Sequence, residues 1–101
     1  QKTGLADKAI TIAKKAYKLE PNLAPINDTL GWLLVEKGQT EQGLSYLREA
    51  IARDTSKATY HFHLAYALAQ LKSTASATEV FEKAKTLAPN HPLIQRIEAL
   101  I

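Results

Sequence analysis

Asp28-Thr-Leu-Gly-Trp-Leu-Leu-Val-Glu-Lys-Gly38 is the stretch whose reading decides the fold, because an altered copy of it follows one fixed interval later. Leu30 is matched by Leu64 and Leu34 by Leu68, each 34 residues on. The same interval links Ala16, Ala50 and Ala84, then Ala9, Gly43 and Ala77, then Ala13, Leu47 and Phe81. Leu19-Glu-Pro-Asn22 and Leu87-Ala-Pro-Asn90 put Pro21 and Pro89 68 residues apart, two such intervals, with Thr55 where a third proline would fall. Small residues fall on small ones and large apolar ones mostly on large, as they do when one helical unit is used repeatedly.

Each unit reads as two antiparallel helices. Pro25 opens the first at a position where its missing N–H costs nothing, and Leu30, Leu33 and Leu34 give it an apolar stripe. Gly38 ends that helix, and Thr40 is placed to cap the next, which carries Leu44, Leu47, Ala50 and Ile51. The second unit repeats the plan, with a helix over 58–71 carrying Leu64, Leu68 and Leu71. Ser73 or Thr74 then caps a helix that ends before Pro89. The expected organisation is a single domain over 1–101: a second helix at 5–19, full repeats at 24–57 and 58–91, and a capping helix at 92–101. Leu5, Ala9, Ile12, Ala16 and Leu19 form the apolar side expected of the opening helix, and Leu93, Ile97 and Leu100 that of the last. The fold class is all-α, antiparallel helix pairs stacked as a right-handed α-solenoid.

Composition agrees with helix and narrows the chemistry. The 101 residues are 46% apolar and 23% charged, ordinary proportions for a globular chain. With no cysteine there is no disulfide, cysteine-ligated zinc, iron–sulfur cluster or thiol nucleophile. The net charge of +3 comes mostly from Lys2, Lys8, Lys14, Lys15 and Lys18, set against Asp7 and Glu20. Lys8, Lys14, Lys15 and Lys18 on one amphipathic helix, without arginine among them, read as a solvated face and not as a nucleic-acid surface. No apolar run approaches the roughly 18 residues needed to span a membrane, so no direct membrane insertion is expected of this segment. The chain opens on Gln1 and has no methionine, so it is expected to be processed or to be a segment of a longer protein.

A 34-residue helix-turn-helix period with these residues resembles the tetratricopeptide repeat family over essentially the whole chain. The family pattern of leucine followed by a small residue in the first helix is met by Leu30-Gly31 and Leu64-Ala65. Its second-helix pattern is met by Gly43, Leu47, Ala50 and by Ala77, Phe81, Ala84. The small residues let backbones approach: Gly31 against Gly43 and Ala65 against Ala77 within a unit, Ala50 and Ala84 between units. Thr55 in place of proline, and Asn27 and His61 in place of an aromatic, depart from the pattern. More narrowly, Asp28-Thr-Leu-Gly-Trp32 with Val35, Gly38 and Gly43-Leu44 is similar to the closing repeats of bacterial lipoproteins of the PEP-CTERM/exosortase export system. That likeness implies a bacterial envelope location on the periplasmic side, with the cytoplasm as the alternative.

The family resemblance implies a protein-interaction scaffold whose first helices line a concave groove, binding a protein or peptide without catalysis, cofactor or metal. Carried over by position, the groove set is Asp28, Thr29, Trp32, Val35, Glu36, Phe62, His63, Tyr66, Gln70 and Arg96, with Ile97 and Leu100. Trp32, Tyr66 and Leu100 stand one period apart and are expected to form a ladder, either a floor for a ligand or a stack that stabilises the array. Family members that clamp a C-terminal carboxylate use Lys, Asn and Arg. Asp28, Trp32 and His63 stand there instead, so a basic or apolar peptide suits Asp28 and Glu36 better.

His61 and His63 diverge by about 200° on a helix and cannot share an ion. His61 reads as a packing residue and His63 as a groove residue, while His91 falls in a turn. No HExxH, glycine-rich phosphate loop or GxSxG elbow is present, so no catalytic residue is expected. The competing reading is a structural spacer or self-association module of a longer bacterial envelope protein involved in export or exopolysaccharide assembly, pairing as a homodimer through exposed terminal helices.

Overall fold

In a computed structural model, residues 2–101 are described, with side chains from Gly4 onward; Gln1 and the side chains of Lys2 and Thr3 lie outside the described residues. Six helices follow one another with no strand among the described residues: α1 (Lys2–Leu19), α2 (Ala24–Glu36), α3 (Thr40–Arg53), α4 (Ala58–Gln70), α5 (Thr74–Leu87) and α6 (Ile94–Glu98). Pro25 sits in the first turn of α2 as expected. Neither Thr40 nor Thr74 acts as a cap. The capping positions fall to Gln39 and Ser73, and neither makes a side-chain capping bond.

The turns within units share one geometry. Gly38 takes φ +94° and Lys72, its counterpart one period later, takes φ +65°. Around each, the next backbone N–H reaches back to close the helix: Gln39 to Leu34 at 2.8 Å and Ser73 to Leu68 at 2.9 Å. This six-to-one closure uses a left-handed residue after the helix. Glycine adopts it freely and lysine does so against steric resistance.

The turns between units carry a second shared device. Asn27 donates from Nδ2 to the Pro21 carbonyl at 3.0 Å, and His61, one period on, bonds through Nε2 to the Thr55 carbonyl at 2.9 Å. The two residues that stand in place of the pattern's aromatic therefore do one job, each holding the carbonyl six positions back. Both are buried, so the bonds replace water the backbone has lost. Asp54 ends α3 and accepts from the Ser56 N–H and hydroxyl, which lowers its pKa.

Small residues set the spacing of the pairs. A methyl added at Gly43 would stand 2.5 Å from the Gly31 carbonyl oxygen, and one at Gly31 2.9 Å from that of Gly43. Ala65 and Ala77 are completely buried in the next unit. The core then runs through the array: Ile10 and Ala13 against Leu30 and Leu34, Val35 and Leu47 against Leu64 and Leu68, Phe62 and Phe81 against Leu93 and Ile97.

The two ends compare differently with expectation: α1 exposes the apolar side chains that a missing neighbour leaves open, as the sequence implied, and α6 is shorter than expected. On α1 the packed side is Ile10 and Ala13, with Tyr17 edge-on to Tyr46 at 5.1 Å. Leu5, Ile12 and Leu19 are exposed, and Ile12 lines an open apolar hollow beside α1 and α2. At the other end α6 is shorter than 92–101. Leu93 and Ile97, one turn apart, are already buried, and Leu100 beyond them is exposed.

Candidate functional site

The first helices of the units, α2, α4 and α6, touch one another in succession, and their side chains meet along one face. From α2 come Asp28, Trp32 and Glu36, spaced at four so that they share a side. From α4 come His63, Tyr66 and Gln70, at three and four; α6 adds Arg96.

The innermost contact joins Asp28 and His63. His63 Nδ1 lies 2.8 Å and 3.0 Å from the two Asp28 carboxylate oxygens, and both residues are buried. A ring nitrogen between two carboxylate oxygens carries a proton and donates it. The His63 ring also lies flat on Trp32, centroids 4.0 Å apart and planes 10° from parallel. Burial, then the charges of Asp28 and Asp54, push the neighbouring Tyr60 hydroxyl up in pKa.

Next outward is the aromatic pair. Trp32 and Tyr66 meet edge to face at 5.3 Å, each half-buried. Arg96 completes the strip, its guanidinium 4.7 Å from the centre of the Tyr66 ring and 6.0 Å from that of Trp32. It donates to the Tyr66 hydroxyl at 3.0 Å and to Glu36 at 3.3 Å, bridging 60 residues of sequence. The Tyr66 hydrogen bond foremost, with Glu36 adding to it, raises the Arg96 pKa. Gln70 donates to the same hydroxyl at 2.8 Å.

The expected groove set is thus divided. Trp32, Glu36, Tyr66, Gln70 and Arg96 come together on accessible surface. Val35 and Phe62 are core residues, Phe62 with no exposure at all, because the neighbouring second helices cover them. Asp28 and His63 are spent on each other, so Asp28 is not free to meet a basic peptide. Thr29 is exposed but stands apart, at an apolar hollow of about 430 Å³ shared with Ile12, Ile26 and Leu33. Ile97 is the buried residue of α6, packed with Phe62 and Phe81, and the place expected of Leu100 beside Tyr66 is taken by Arg96. The aromatic ladder is present as Trp32 and Tyr66 in direct contact, with Leu100 outside it.

Sequence reading missed the Asp28–His63 pair and the reach of Arg96 to Glu36. The first carried a signal: neighbouring first helices bring residues about one period apart face to face, and Asp28 and His63 are 35 apart. The second depends on where a short helix docks. His91 was read as a turn residue and is one, yet it also stacks on Phe62 at 4.3 Å. Its Nδ1 accepts the Leu93 N–H at 3.1 Å, so Nε2 carries the proton toward Thr59, 3.2 Å away. Among the described residues no group of three or more His, Cys, Asp or Glu side chains is placed to hold a metal ion. No described helix is long and apolar enough to cross a membrane.

The tetratricopeptide repeat family model matches residues 29–92. Solved structures share the architecture. An Arabidopsis OM64 tetratricopeptide repeat domain superposes with a TM-score of 0.86 at 19% identity, over 97% of this chain and 81% of that one. YrrB, described as a repeat protein with an unusual peptide-binding site, gives 0.83 at 20% identity over 97% of this chain and 50% of that one. PcrH, in complex with the chaperone binding region of PopD, gives 0.80 at 26% identity over 98% and 77%. No curated protein sequence matches the chain.

Proposed function

The chain belongs to the tetratricopeptide repeat family, and on that premise we propose that it is an interaction scaffold holding a peptide or partner protein on the joint face of α2, α4 and α6, without catalysis. The observation that carries this reading is Trp32 and Tyr66 lying half-exposed side by side, with Glu36, Gln70 and Arg96 around them. Aromatic side chains there offer apolar area with a polar tip, ringed by groups able to pair with a backbone or a side chain. Two proteins of like fold, YrrB and PcrH, are described with a peptide-binding site and with a bound partner region, which supports the reading.

Selection of a displayed random-peptide library on the immobilised chain tests it. Peptides that bind the parent are expected to lose about 2 kcal/mol or more of affinity on Trp32→Ala, with helical circular dichroism unchanged. Equal binding by Trp32→Ala of every selected peptide would remove the reading.

A second reading, self-association, is favoured by the exposed Leu5, Ile12 and Leu19, at 67%, 67% and 81%. It predicts a molar mass in solution that rises with concentration, and a strict monomer would refute it.

A further inference from the structure

Arg96 sits in a seat with three parts. A carboxylate, Glu36, stands 3.3 Å from its Nη2; a hydroxyl oxygen, that of Tyr66, stands 3.0 Å from the same nitrogen; and the Tyr66 ring lies 4.7 Å below the guanidinium carbon, with Trp32 at 6.0 Å. An acid, an acceptor and aromatic faces together are what a planar cation requires. The occupant is held loosely. The Arg96 and Glu36 side chains are 51% and 45% exposed, so their ion pair is screened by water and salt. The seat itself is better fixed. Trp32 is pinned by the stacked His63, which Asp28 orients, and Tyr66 is fixed against Trp32 and by the Gln70 amide. Loss of Arg96 therefore leaves an ordered, electronegative, aromatic corner.

We propose that this corner, Glu36 with Tyr66 and Trp32, is the seat for an arginine side chain of the partner segment, and that Arg96 fills it as a displaceable internal occupant. The proposal rests on the scaffold reading above and names the partner's chemistry: an extended segment bearing an exposed arginine. Two lone pairs of the Tyr66 hydroxyl oxygen already accept from Gln70 and Arg96, so an incoming guanidinium takes over the Arg96 bond and needs no new acceptor. Occupation by Arg96 lowers the apparent affinity by the fraction of molecules in which the seat is open. An occupant held by one exposed ion pair, one exposed hydrogen bond and one cation–π contact costs about fivefold in apparent affinity.

The test follows the indole N–H resonance of Trp32, the chain's one tryptophan, during titration with acetyl-Ala-Arg-Ala-amide. The same peptides with citrulline and with glutamate in place of arginine serve as comparisons. Arg96→Gln is expected to bind the arginine peptide about fivefold more tightly than the parent and to prefer it over the citrulline peptide. Adding Glu36→Gln is expected to abolish both the gain and the preference. Leu93 and Ile97 dock α6 independently of Arg96, and an unchanged melting temperature of Arg96→Gln verifies this. Equal affinity in parent and Arg96→Gln overturns the proposal, as does absence of saturable binding in every variant. Weaker binding by Arg96→Gln, with preference of the parent for the glutamate peptide, also overturns it and makes Arg96 itself the receptor for an anion. Library peptides that need Trp32 but carry no arginine would refute this inference alone and leave the scaffold reading standing.

Discussion

Gly43→Ala should loosen the first unit although alanine is the better helix former. The new methyl would lie 2.5 Å from the Gly31 carbonyl oxygen, 2.8 Å from Val35 Cγ2 and 3.2 Å from the Val35 nitrogen. A rotamer change could move the Val35 methyl; the carbonyl and the nitrogen belong to the backbone of α2. To reach ordinary contact near 3.4 Å, α2 and α3 must separate by about 0.9 Å. That shift opens gaps around Leu47 and Leu34, both almost wholly buried. Overpacking of this kind costs about 1–3 kcal/mol, and replacing a glycine in the first turn of α3 returns at most about 1 kcal/mol. The net expectation, at the middle of that range, is a loss of about 1 kcal/mol, or a fall in melting temperature of roughly 4–8 °C for a chain of this size. Circular dichroism and Trp32 fluorescence through a thermal or urea transition measure it. Gly4→Ala is the control: nothing lies within 4 Å of its added methyl, so stability should hold or rise. Gly43→Ala at or above parent stability would refute the argument that the 31/43 crossing is set by backbone contact.

Lys72→Gly relieves a left-handed lysine and should raise stability by about 1 kcal/mol in urea unfolding. His63→Leu leaves the Asp28 carboxylate buried without its partner and should cost about 3 kcal/mol; Asp28→Leu combined with it should recover part of that loss. Protonation of His91 is disfavoured in the fold, by burial first and by His63 second, and its Nδ1 already accepts the Leu93 N–H. The unfolded chain binds that proton more readily, so stability is full above the ordinary histidine range near 6.5 and declines as pH falls through it. His91→Gln should flatten that part of the pH profile of the urea midpoint.

Helix order, the 34-residue period and the crossing at Gly31 and Gly43 were legible because each is written in residue type. Pro25 opens a helix, Gly38 closes one, and small residues recur where backbones touch. The strained turn at Lys72 was hidden because lysine carries no preference for positive φ; the signal was its alignment with Gly38. Asn27 and His61 looked like departures from the family pattern. They form one position with one task, visible once their bonds to the carbonyls of Pro21 and Thr55 are seen together. On the candidate face, position within the repeat groups Trp32, Glu36, Tyr66, Gln70 and Arg96, which lie together on one accessible strip. It could not tell that α3 and α5 would cover Val35 and Phe62. Nor could it tell that a one-turn helix would lay Arg96, and not Leu100, over Tyr66. The last outcome depends on how α6 docks, through Leu93 and Ile97 packed with Phe62 and Phe81.

The central claim is that partner binding happens on the strip built from Trp32 and Tyr66. Chemical-shift mapping of the chain with a selected library peptide tests it most directly. The account predicts the largest changes at the Trp32 indole and at Glu36, Tyr66, Gln70 and Arg96, with α3 and α5 unmoved on their outer surfaces. Changes centred instead on the hollow beside Ile12 and Leu33, or on the outer surfaces of α3 and α5, would contradict it.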